Sequence, residues 1–134
     1  MHGTAWARKV PAILIVDDDR DTREGLAEVL ALAGYLVRTA ANGKIALQQA
    51  RENRPDLIVL DLVMPVMSGW QFMEAQRRDP GLAPIPVIVA SASIDSRVQG
   101  AAFLLGKPFD PDTLLAVVAG LCGDGRDHPD QLSA

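Results

Sequence analysis

The chain has 134 residues, 49% hydrophobic and 22% charged, a globular composition that excludes wholesale disorder and suits one compact domain. A formal charge of −4 and a pI near 5.0 leave no broad cationic field, so nucleic-acid binding by this chain is not expected. The single cysteine, Cys122, allows no internal disulfide, no secretory leader pattern opens the sequence, and the longest apolar run, residues 10–16, is too short to cross a bilayer; a cytoplasmic protein without membrane contact is expected.

Residues 1–9 read as a short polar arm carrying Arg8 and Lys9. Residues 12–16 (AILIV) form a continuous apolar run, the pattern of a strand buried on both faces. A helix is predicted over 21–33, with Leu26, Val29, Leu30 and Ala33 at helical spacing, acids in its first turns and Gly34 at its end. A short strand at 36–39 precedes a helix over 42–53, which carries Ile45, Ala46, Gln49 and Ala50 and stops before Pro55. Residues 56–60 (DLIVL) repeat the buried-strand pattern. A helix over 68–78, bearing Phe72 and Ala75, is closed by Asp79-Pro80-Gly81. Residues 86–90 (PVIVA) are a further buried strand, 94–99 leave room for one or two helical turns, and 103–105 form a last, short strand. Asp110-Pro111 opens a final helix running to about Leu121, with proline at its first position, and residues 123–134 are expected to be a poorly ordered tail. The domain is therefore placed at 10–122. Repeated strand–helix alternation implies right-handed crossovers with helices on both faces: an α/β, doubly wound, five-stranded parallel sheet.

In such sheets the site lies outside the carboxyl ends of the strands, where the strand order reverses. The first strand ends in Asp17-Asp18-Asp19, the third in Asp61, the fourth in Ser91, and the fifth runs into Gly106-Lys107-Pro108. Carboxylates gathered at one edge repel unless a cation holds them, and hard oxygen ligands favour Mg²⁺. A carboxylate beside that metal is a nucleophile for phosphoryl transfer, with a hydroxyl and an ammonium to neutralise phosphoryl oxygens. Taken singly, several of these residues have plainer readings. Asp19 or Asp21 reads as a helix cap, Ser91 as a turn residue, Lys107 as a solvated charge, and Met64, Met67 and Trp70 as packing. Asp61 ends an apolar strand with no helix immediately after it to cap, which favours a functional role.

Ile15-Val-Asp-Asp-Asp19, Asp61-Leu-Val-Met-Pro-Val-Met-Ser-Gly69, Ser91-Ala92 and Gly106-Lys-Pro-Phe109 together resemble, in order, the four signature blocks of response-regulator receiver domains, over residues 13–121. The resemblance implies a flavodoxin-like strand order 2-1-3-4-5 and a phosphoacceptor at Asp61. It also implies a Mg²⁺ site made of Asp18 directly, Asp17 mainly through water, Asp61, and the carbonyl of Val63. Ser91 and Lys107 would bind phosphoryl oxygens, and the Lys107–Pro108 peptide would be cis. The implied partners are a histidine kinase or phosphotransfer protein as donor and a downstream protein as reader, with the chain a phosphoacceptor rather than an enzyme in the ordinary sense.

Two features depart from the family pattern. The interval from Ser91 to Lys107 is about six residues short, which removes more than one turn of the fourth helix. Leu104 stands three residues before the lysine, where an aromatic is usual. Both changes lead us to expect a modified relay and a monomer whose partners read loop ordering. A stand-alone regulator acting in trans, or in a phosphorelay, is the expected function. The alternatives are a receiver-like scaffold that never carries phosphate, and an aspartyl-phosphate phosphatase using Asp17 as nucleophile and Asp19 as acid/base.

Overall fold

Strands β1 (Ala12–Val16), β2 (Leu36–Ala40), β3 (Leu57–Leu60), β4 (Val87–Ser91) and β5 (Phe103–Gly106) alternate with helices α1 (Arg20–Leu32), α2 (Gly43–Glu52), α3 (Gly69–Arg77) and α4 (Pro111–Cys122). The computed structural model describes residues 10–95 and 98–123. The expected arm (1–9) lies outside the described residues, as does the expected tail beyond Gly123. No helix among the described residues is long and apolar enough to cross a membrane.

All strands pair in parallel in the order β2-β1-β3-β4-β5. Because side chains alternate along a strand, the buried runs split between two layers. Leu14, Val16, Ile58, Leu60, Val87 and Val89 pack with Ala46, Leu47 and Ala50 of α2 and Phe72 and Met73 of α3. Ile13, Ile15, Leu57, Val59, Ile88 and Ala90 pack with Leu26 and Leu30 of α1 and Leu114 and Val118 of α4. A continuous apolar run is what a strand covered on both faces requires, and each large side chain so buried contributes about 1.5–3 kcal/mol.

Side chains fix the helix starts. Asp19, Asn42, Ser68 and Asp110 cap the four helices, Ser68 with a reciprocal Gln71 bond that makes a capping box, and Pro111 occupies the first turn of α4. Gly34 ends α1 with φ at +104°, and the Tyr35 amide turns back to the Leu30 carbonyl at 3.2 Å.

One expectation is corrected. Between β4 and β5, where room for one or two helical turns was read, the described residues 92–95 and 98–102 contain no helix. So short a connection cannot meet the cost of nucleation and still span the strands. Its described residues pack instead as irregular chain, with Ile94, Val98 and Ala101 against the α2/α3 side of the core. It is held by bonds from Val98 N–H to the Asp95 carbonyl (3.1 Å) and from Ala102 N–H to the Val87 carbonyl (2.8 Å). Leu104, on the edge strand, is left 47% exposed.

Candidate functional site

Parallel register brings the strand ends together. Val16 lies opposite both Ala40 and Leu60, and Ser91 opposite Gly106, so the residues that follow emerge at one edge of the sheet. The chain leaves β1 towards β2 on one side and returns to β3 on the other, which places Asp17 and Asp61 at the point where the order reverses. The Asp17 amide donates to the Ala40 carbonyl (3.1 Å) and the Asp61 amide to the Val16 carbonyl (2.9 Å), so the sheet itself anchors both acids.

One carboxylate oxygen each from Asp17, Asp18 and Asp61 lie within 4.8 Å of one another. Asp17 is 2% and Asp61 9% exposed, while Asp18 faces solvent. Lys107, carried in from β5, places its ammonium 2.6 Å from Asp17 Oδ2 and 3.6 Å from Asp61 Oδ2. The remaining oxygens are also placed. Asp17 Oδ1 accepts the Asp19 amide at 2.9 Å, and Asp61 Oδ1 accepts the Leu62 amide at 2.8 Å. Burial alone would lower the Lys107 pKa, but its hydrogen bond and attraction to Asp17, with the charge of Asp61, outweigh burial and raise it.

Three carboxylates against one ammonium leave the cluster anionic, and its hard oxygen donors suit a divalent cation such as Mg²⁺. Ser91 is buried at the same edge. Its hydroxyl accepts the Ser93 amide at 3.1 Å, and its carbonyl accepts the Lys107 amide at 3.0 Å, tying serine and lysine into one unit. The Lys107–Pro108 peptide is cis. Val63 lies on the exposed loop after β3, two residues beyond Asp61. Asp19 turns the other way. Its carboxylate accepts the Thr22 amide at 3.0 Å and the Thr22 hydroxyl, and these bonds hold its pKa below the usual carboxylate value.

Sequence reading missed one contact at the site and one backbone feature beside it. Arg23, which resembles any solvated helix arginine, donates from Nη1 to the Asp17 carbonyl at 2.9 Å, a contact with no local sequence signal. Val66, in the loop that follows Asp61, adopts φ +70°, a left-handed conformation that costs a β-branched residue about 1–2 kcal/mol.

Comparison with known proteins agrees with this fold. The family model for the response regulator receiver domain matches residues 13–119. The transcriptional regulatory protein PrrA of Mycobacterium tuberculosis is 44% identical over 115 residues, covering 83% of this chain and 49% of that protein. The response regulator MprA of Mycobacterium sp. (strain KMS) is 40% identical over 123 residues, covering 89% of this chain and 53% of that protein. The chain thus spans about half the length of these relatives. Among solved structures, Vibrio cholerae chemotaxis protein CheY4 superposes with a TM-score of 0.79 at 34% identity, covering 84% of this chain and 99% of that one. Thermotoga maritima TrrA, solved in complex with Mg²⁺ and beryllofluoride, gives a TM-score of 0.76 at 32% identity, covering 83% and 98%.

Proposed function

Since the chain belongs to the response-regulator receiver family of two-component signalling, we propose that it receives a phosphoryl group on Asp61 from a histidine kinase or phosphotransfer protein. The observation that carries this reading is the Asp61 carboxylate at the end of the central strand, set beside Asp17, Asp18 and the Lys107 ammonium. An Asp61 oxygen attacks phosphorus as the donor's N–P bond breaks, and the imidazole leaves with that electron pair, neutral because its other ring nitrogen already carries a proton. Lys107 and the Ser91 hydroxyl then hold the transferred oxygens. Asp18, Asp17, Asp61 and the Val63 carbonyl would hold Mg²⁺, which supplies charge neutralisation when bound.

The phosphatase alternative asks Asp19 to move a proton at the site, yet its carboxylate is taken up by Thr22 at the start of α1. Asp17, as its nucleophile, is buried and bonded through both oxygens. Output through protein contact by a monomer, or by passing the phosphoryl group on, is the finer part of the proposal. The acidic charge supports it, as does Leu104, which carries no hydroxyl to report the position of Ser91. Acetyl phosphate with Mg²⁺ should add one phosphoryl group to the protein and none to Asp61→Asn, read by intact mass. Persistence of the adduct in Asp61→Asn, or its loss only in Asp17→Asn, would overturn the assignment.

A further inference from the structure

Asp18 is the exposed member of the acidic trio, and among the described residues no group bonds its carboxylate. Its direction is therefore set by the two peptide units that flank it. The unit after it is pinned at the Asp19 amide, which donates to Asp17 Oδ1 at 2.9 Å. That pin draws on a carboxylate oxygen that a bound cation also attracts. The unit before it is pinned at the Asp17 carbonyl, which lies past the last ladder bond of β1 and accepts the Arg23 guanidinium at 2.9 Å. Arg23 is half-buried on the first turns of α1, and its own amide bonds the Asp19 carbonyl, so helix start and acidic turn brace each other.

We propose that Arg23 is a positioning residue for the cation site, holding the peptide unit from which the Asp18 carboxylate departs. The inference rests on the phosphoacceptor reading above. Charge and positioning here act with opposite sign. Removing a cation beside an acidic cluster should strengthen divalent binding, whereas releasing the Asp17 carbonyl should weaken it by letting Asp18 wander.

Mg²⁺ titrations of the full chain, followed by amide shifts at Asp18 and Asp19, separate the two effects. Arg23→Met keeps the aliphatic stem and the helix, and it should weaken Mg²⁺ binding about three- to tenfold, the worth of one lost hydrogen bond. Arg23→Lys, which keeps a donor, should recover part of the loss, and the melting temperature without Mg²⁺ should not track this order. Equal or tighter binding by Arg23→Met, or equal weakening by both variants, would overturn the proposal while leaving the phosphoacceptor intact. A wild-type chain that binds no Mg²⁺ would overturn both.

Discussion

At Gly69 there is no room for a side chain. A Cβ there would lie 2.3 Å from the Asp61 carbonyl oxygen and 2.7 Å from Leu62 Cα, both backbone atoms that cannot swing aside. The glycine is demanded by close approach of the start of α3 to the chain just after β3, and its amide closes the contact on the Leu62 carbonyl at 2.8 Å. At Gly43 the nearest atom is the Met67 Cγ at 2.8 Å, on a flexible side chain, and the one close backbone atom, the Met67 carbonyl oxygen, is farther off at 3.0 Å than the two backbone atoms that crowd Gly69. Gly69→Ala should therefore cost about 1–3 kcal/mol in urea unfolding and slow phosphorylation of Asp61 by shifting its main chain, with Gly43→Ala milder on both measures. Equal effects of the two would show that the backbone contact is not limiting.

Among the elements, α1 owes its start to Asp19 and the β4–β5 connection owes its form to its length. The Asp19 pKa is lowered by its bonds to Thr22, so its contribution to stability is present above the ordinary value of 3.8 and is lost as pH falls through the lowered one. Asp19→Asn keeps a capping oxygen and should remove only this acid limb, while Asp19→Ala should lower the melting temperature at neutral pH as well. Neither should weaken Mg²⁺ binding, whereas Asp18→Ala should, which a titration checks. In the β4–β5 connection, Val98 and Ala102 are held by single main-chain bonds and not by a helical ladder. Hydrogen exchange over residues 98–102 should be fast in the free protein and slow with beryllofluoride and Mg²⁺, because occupation of the site engages Ser91 at the head of that loop. Strong protection before ligand is added would contradict this.

At the scale of the molecule, Lys107 ties β5 to β1 and β3 through Asp17 and Asp61. Its pKa is raised above the ordinary 10.5, so the stability it contributes is fully present below that value and is lost as pH rises through the raised one. Lys107→Met leaves buried carboxylates without a counter-charge and should be less stable than wild type at neutral pH. The two unfolding curves should converge at strongly alkaline pH, and Mg²⁺ should narrow the gap at pH 7 by standing in for the ammonium. A gap that is constant with pH and indifferent to Mg²⁺ would show that lysine acts only through packing.

The fold was legible because apolar periodicity is local. Runs such as residues 56–60 announce strands covered on both faces, and Asp, Asn and Ser before helical stretches announce caps. The acids of the site were legible because strands in a parallel sheet end at a common edge, so Asp17, Asp18 and Asp61 had to meet there. What the tertiary structure alone decided are contacts between segments whose separation carries no signal. The Arg23 bond to the Asp17 carbonyl, the Lys107 bridge to Asp17 and the backbone crowding at Gly69 all depend on how far one element is pressed against another. The absence of a helix among the described residues between β4 and β5 belongs with them. Residues 94–99 could supply a turn by sequence, but the fixed distance between two paired strands and the core positions claimed by Ile94, Val98 and Ala101 determined that the described residues 94–95 and 98–101 are not helical.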